Sequence, residues 1–172
     1  MKQGFSTVSV EECFQQKILE LGEQLRQRGW TISCAESCTG GGVAFTLTSV
    51  VGSSDWFQQS WVTYSNDAKQ QLIGVASGTL EKYGAVSEQV VTEMAAGVVQ
   101  RSGAQLGIAV SGVAGPGGGS AEKPVGTVWF GFAMNGRVQA VKQFFKGDRQ
   151  QVRSQSVVFA IEFLNKWLVE YH

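Results

Sequence analysis

A three-layer αβα sandwich, built on a mixed and mostly parallel sheet with one β-hairpin, is the fold class predicted for this 172-residue chain. Two observations point to it. Strand-reading and helix-reading runs alternate along most of the length, the pattern of helices laid on both faces of a sheet. Near the C-terminal end, Asn135-Gly136 separates two strand-reading runs and marks a tight hairpin. The chain shows no repeat, low-complexity tract or linker, and its length suits a single domain spanning residues 1–172.

The elements follow in order. Ser9-Val10-Glu11-Glu12 reads as a capping box, and the helix behind it places Phe14, Ile18, Leu21 and Leu25 on one face before stopping at Gly29. A strand is expected over about 30–36, then a glycine turn and a helix reaching about Val51. Gly52-Ser53-Ser54 reads as a loop and Trp61-Val62-Thr63-Tyr64 as a short strand. Asn66 is placed to cap a helix through Leu72, and Ser87 to cap another over about 88–101. Leu106 to Val110 is a compact apolar strand running into the glycine loop Gly112 to Gly119. Val125 to Met134 and Arg137 to Phe145 form the hairpin, and Asp148 caps a closing helix with Val152, Phe159, Phe163 and Trp167 facing inward.

Bulk properties exclude several function classes. Fourteen basic and fourteen acidic residues cancel, so no electrostatic footprint for nucleic acid or an anionic membrane is visible. No apolar run approaches the ~20 residues of a membrane span, and the first residues do not begin a signal peptide. The cytoplasm is the expected location. Cys13, Cys34 and Cys38 are an odd set that argues against a disulfide framework. The only histidine is His172, the last residue, which removes Ser-His-Asp and Cys-His arrangements. Cys34 and Cys38 lack convincing partners for zinc, and no metal is expected.

Chemistry concentrates in four segments. Glu36-Ser37-Cys38-Thr39-Gly40-Gly41 lies where a strand turns into a helix, so Ser37 is a candidate nucleophile beside main-chain N–H groups able to hold an oxyanion. Such a segment is also a common tight connection. In Tyr64-Ser65-Asn66-Asp67-Ala68-Lys69, an Asn66 cap would put Lys69 at the third helical position. There the positive end of the helix dipole disfavours its charge, and a neutral amine can act as base toward a serine. Tyr64 could relay the proton or orient the serine, or simply pack. The loop from Ser111, Gly112 and Gly115 to Gly119 can approach a ligand closely or offer a nest of N–H groups. Arg149, with Arg153 one turn on, suits a phosphate or carboxylate, or a surface ion pair. Cys38 is the competing nucleophile, and without a histidine it reads as a small packed residue.

These segments, in this order, resemble the CinA C-terminal domain family. The resemblance is carried by Ala35-Glu36-Ser37-Cys38-Thr39-Gly40-Gly41, Tyr64-Ser65-Asn66 through Lys69, Gly84-Ala85-Val86-Ser87-Glu88, Ser111 to Pro116, Lys123-Pro124-Val125-Gly126-Thr127 and Gly147-Asp148-Arg149. It covers about Cys13 to Leu168. Many relatives carry an extra N-terminal domain, for which this chain has no room, and a threonine is common where Ser111 stands.

The resemblance implies a three-layer αβα sandwich, commonly oligomeric, here a homo-oligomer of two or more copies. Stand-alone members that the chain looks like convert nicotinamide mononucleotide to nicotinate mononucleotide and ammonia, without a cofactor, returning a pyridine nucleotide to NAD synthesis. Their serine, lysine and tyrosine match Ser37, Lys69 and Tyr64. Substrate contacts are expected from Glu36, Thr39, Gly40, Gly41, Ser111, Gly112, Gly115 and Arg149, as an inference beyond the family match. A catalytically weak nucleotide-binding module is the alternative. An interaction protein linked to DNA uptake is a third reading, opposed by the neutral charge.

Overall fold

The computed structural model describes residues 10–171. The capping box expected at Ser9 and the terminal His172 therefore lie outside the described residues. The elements run α1 (Val10–Arg28), β1 (Ile32–Glu36), α2 (Gly42–Leu47), a 3₁₀ turn (Ser53–Asp55), β2 (Phe57–Val62), α3 (Asn66–Ile73), α4 (Ser77–Tyr83), α5 (Glu88–Ser102), β3 (Leu106–Gly112), β4 (Thr127–Met134), β5 (Arg137–Phe144) and α6 (Arg149–Glu170).

The five strands form one sheet in the order β2-β1-β3-β4-β5. β1 pairs in parallel with β2 and β3, whereas β4 is antiparallel to both β3 and β5. β4 alone therefore opposes the other four, which is the mixed, mostly parallel arrangement the sequence predicts. The hairpin forms as expected, with φ of 49° at Asn135 and 77° at Gly136. Positive φ at both central residues matches the twist of the flanking strands.

Side chains divide by face with a period of two. Ile32, Cys34, Leu106, Ile108, Val110, Phe130 and Phe132 join α1, α2 and α6 in one core. Ile18, Leu21 and Leu25 of α1 are buried there, as the helical spacing requires, and Phe14 packs at the margin. Phe132 stacks on Phe163 at 4.4 Å and Phe130 lies 4.7 Å from Phe159, so α6 rests on an aromatic layer.

The opposite face is lined by small residues. Ala35, Ala109 and Ala133 pack with α3, α4 and α5, and Gly107 and Gly131 let α5 lie directly on the sheet. A Cβ at Gly107 would stand 2.9 Å from the Ala95 carbonyl, and one at Gly131 would run into the Val91 carbonyl. Large residues on one face and small ones on the other produce a thick layer below and a close helix above. Helices on both faces give the three layers.

Four local expectations are revised. β2 lies at Phe57–Val62, earlier than Trp61 to Tyr64, because this edge strand alternates weakly and leaves Gln58 and Gln59 exposed. α2 ends at Leu47 rather than near Val51, its last carbonyls taken by the hydroxyls of Thr48 and Ser49. α4 was not expected. It lacks a side-chain cap of its own, and Glu93 of α5 accepts from Ala76 N at 2.8 Å and Thr79 Oγ1 at 2.6 Å instead. The cap of α3 is Ser65, not Asn66: its side chain accepts from Ala68 N. Ser87 and Asp148 cap α5 and α6 as predicted, the latter in a capping box with Gln151.

Candidate active site

Parallel strands bring their carboxyl ends to one edge of the sheet, where open α/β proteins hold their ligands. β1 ends at Glu36, β2 at Val62 and β3 at Gly112, so Ser37, Thr63-Tyr64 and the glycine loop meet at that edge. The main chain locks them together. Ser37 N donates to Val110 O at 3.0 Å, and Thr63 N donates to Glu36 O at 2.8 Å.

Ser37 begins a tight turn closed by Gly40 N donating to Ser37 O at 3.0 Å. The chain then passes through φ of 59° at Gly40 and 101° at Gly41, a left-handed path that a side chain would strain. Glu36 explains why the turn is stable. Its fully buried carboxylate accepts from Thr39 Oγ1 (2.7 Å), Val43 N (2.7 Å) and Ala44 N (3.0 Å). This carboxylate occupies the positive end of α2, so those N–H groups are not free for a substrate anion. Glu36, expected among the substrate-binding residues, is engaged inside the protein.

Lys69 is only 1% exposed. Its Nζ donates to the Thr63 carbonyl at 2.8 Å and stands 3.2 Å from Ser37 Oγ. Burial lowers its pKa from 10.5 to about 8, because a charge withdrawn from water is disfavoured. With Ser65 as the cap, Lys69 is the fourth helical residue rather than the third. Desolvation, not the helix dipole, is the leading cause of the shift.

Tyr64 takes an unexpected position. Its main-chain carbonyl meets Ser37 Oγ at 3.5 Å, while its side chain is turned outward in a residue that is 60% exposed. The phenol oxygen accepts from Arg149 Nη2 at 3.2 Å, and Arg149 Nη1 donates to Gly115 O at 2.8 Å. Arg149 thus ties the glycine loop to Tyr64.

The remaining predicted residues divide between site and scaffold. Thr39 and Gly40 form the Ser37 turn, and Gly41 approaches Val62. The Ser111 hydroxyl donates to Ala85 O at 2.8 Å, holding β3 to the loop before α5. At Gly112 a Cβ would lie 2.7 Å from Val128 Cγ2, so this glycine serves strand pairing. Burial raises the thiol of Cys38 to about 11 and pushes that of Cys34 up as well, leaving both unreactive. Among the described residues, no group of three His, Cys, Asp or Glu side chains is placed to hold a metal, and no helix is long and apolar enough to cross a membrane.

The Thr63 carbonyl was missed from the sequence, and Arg153 was expected only beside Arg149 as a phosphate or carboxylate clamp or a surface ion pair. The Thr63 carbonyl leaves no sequence signal, being main chain. Arg153 does leave one: four residues beyond Arg149, it shares that face of α6. Its Nε donates to Cys38 O at 3.1 Å and its Nη2 to Thr39 O at 3.3 Å.

Fold and geometry define a three-layer α/β protein with a buried serine–lysine pair at the strand ends. The CinA C-terminal domain model matches residues 15–168, and the chain belongs to that family. It is 59% identical over 145 residues to the nicotinamide-nucleotide amidohydrolase PncC of Enterobacter agglomerans, covering 84% of this chain and 88% of that protein. To the protein of the same name from Escherichia coli it is 51% identical over 146 residues, with the same coverage. The crystal structure of competence damage-inducible protein A from Klebsiella pneumoniae superposes with a TM-score of 0.89 at 36% identity, covering 92% of this chain and 99% of that one.

Proposed function

We propose that the protein is a nicotinamide-nucleotide amidohydrolase that converts nicotinamide mononucleotide to nicotinate mononucleotide and ammonia through Ser37 and Lys69. The observation that carries this is the 3.2 Å approach of buried Lys69 Nζ to Ser37 Oγ. Similarity to proteins named for that activity supports the substrate.

The contacts of Lys69 support the following proton path. In neutral Lys69 one N–H keeps the Thr63 bond while the lone pair faces the serine hydroxyl. Ser37 Oγ attacks the carboxamide carbon as its proton passes to Nζ. The tetrahedral intermediate carries an oxyanion, which main-chain N–H groups of the Ser37 turn stabilise. Lysine then gives the proton to the departing nitrogen, and ammonia leaves an acyl-serine. Water attacks this ester, its proton passes to Nζ, and the proton returns to Ser37 as nicotinate mononucleotide departs. Tyr64, Arg149 and the loop around Gly115 hold the nucleotide, with the guanidinium toward its phosphate. No cofactor takes part.

The same reading makes residues 1–172 one catalytic domain, working in the cytoplasm as a homo-oligomer and returning pyridine nucleotide to NAD synthesis. Purified protein incubated with nicotinamide mononucleotide, without added metal, is expected to release ammonia, and Ser37→Ala is not. Ammonia from both would move the nucleophile elsewhere. Binding of the mononucleotide without ammonia would instead favour a nucleotide-binding module.

A further inference from the structure

We propose that Arg153 is a positioning residue for the acyl-transfer step: by holding the Cys38 and Thr39 carbonyls it aims the Thr39 N–H at the oxyanion. The inference rests on the serine mechanism above and adds a residue that touches neither substrate nor Ser37.

In a trans peptide the carbonyl and the following N–H point in opposite directions. Arg153 draws two successive carbonyls, Cys38 O and Thr39 O, toward α6. The N–H groups of Thr39 and Gly40 must then point away from α6. Gly40 N–H shows where that direction leads, because it reaches Ser37 O at 3.0 Å. Thr39 N–H is directed to the same side.

Of the two N–H groups turned away from α6, Thr39 rather than Gly40 is left for the oxyanion, on two further observations. Its N–H donates to no acceptor among the described residues, although Thr39 is only 2% exposed. Unpartnered donors in buried main chain are rare. Thr39 also stands two residues after Ser37, the spacing at which a serine side chain faces a main-chain N–H in an ST-turn. Here Ser37 Oγ is engaged by Lys69 instead, leaving that donor for the reaction. The guanidinium adds an electronic effect, since a cation bonded to the Cys38 carbonyl polarises its peptide and strengthens the Thr39 donor.

Arg153→Ala separates positioning from support. A cavity of about 240 Å³ lined by Thr39, Gly42, Gln150, Arg153, Ser154 and Val157 opens beside the guanidinium, so free guanidinium can enter once the side chain is removed. Steady-state ammonia release from nicotinamide mononucleotide would be measured together with a thermal melt and the rate at which a fluorophosphonate labels Ser37. In labelling, Oγ displaces fluoride from phosphorus, Lys69 takes the proton, and the phosphoryl oxygen occupies the oxyanion position.

An oxyanion is present only in the transition state, so kcat is expected to fall about 10-fold to 100-fold with KM changed by less than about twofold. Labelling should slow in step, and millimolar guanidinium should restore part of both rates in the variant but not raise those of the wild type. Labelling and kcat within about twofold of wild type, or a loss confined to KM, would overturn the proposal. If the wild type is labelled at Ser37 yet releases no ammonia, the substrate reading fails, and the labelling ratio alone decides the role of Arg153. Should Arg153→Ala not fold, Arg153→Lys serves: it keeps the charge but lacks the fork for two carbonyls, and undiminished labelling there would reject the proposal.

Discussion

Lys69 Nζ lies 3.2 Å from Ser37 Oγ while holding the Thr63 carbonyl at 2.8 Å, so one buried amine is fixed by main chain and aimed at a hydroxyl. The Thr63 bond restricts the amine to one orientation, and burial keeps its proton weakly bound. The proposed mechanism needs a base within hydrogen-bond reach of Ser37, and Lys69 Nζ stands within that reach.

Lys69→Met keeps most of the buried volume and removes the proposed base. Ammonia release from nicotinamide mononucleotide is expected to lose about 10²–10⁴ in kcat, the usual contribution of a positioned acid or base. KM should change little, since the lysine is buried behind the serine. Retention of wild-type turnover in a folded variant would remove Lys69 from the mechanism.

The pH dependence follows from the same residue. Only neutral Lys69 can accept the serine proton, so kcat/KM should climb with pH and level off above about 8. Stability moves the same way. Folding lowers the lysine pKa from 10.5 to about 8, so in that window the unfolded chain binds more protons and stability rises with pH. Below pH 8 the full cost of burying the charged form remains. The melting temperature of wild type minus that of Lys69→Met should increase between these two values; a flat difference would contradict the buried-amine assignment.

Tyr64 and Arg149 should behave as a unit, because the phenol oxygen accepts from the guanidinium. In a cycle of Tyr64→Phe, Arg149→Met and the double variant, the losses in kcat/KM are expected to be non-additive by about 0.5–3 kcal/mol. Most of each loss should appear in KM. A drop in kcat alone for Tyr64→Phe, additive with Arg149→Met, would instead make the phenol a proton relay.

Glu36→Gln tests the support of the turn. Val43 N and Ala44 N both donate to this carboxylate, and an amide would bring an NH₂ group against one of those donors. Hydrogen bonds to a buried charged group contribute about 1.5–3 kcal/mol each, and a loss of about 2–4 kcal/mol overall is expected from chemical denaturation. A variant as stable as wild type would show that α2 does not depend on this cap.

Strands and helices whose burial shows in their own spacing were legible in the chain. α1, with Ile18, Leu21 and Leu25 on one stripe, is one case, and the Asn135-Gly136 hairpin is another. α4 was not, because its cap is Glu93, fourteen residues beyond Thr79. β2 was misplaced because an exposed edge strand has little apolar alternation to read.

In the site, the sequence by itself determined the chemical types: a serine at a strand-to-helix turn, a lysine in the first turns of a helix, and no histidine among the described residues to compete. These depend on local order and composition. Tertiary structure decided the partners. It gave the α2 N-terminus to Glu36, turned the Tyr64 phenol to Arg149, set Ser111 on Ala85, and brought Arg153 to the Ser37 turn from 114 residues away. Local spacing cannot encode the long-range pairings among these, because they exist only once the sheet and the helices packed on it have placed distant segments side by side.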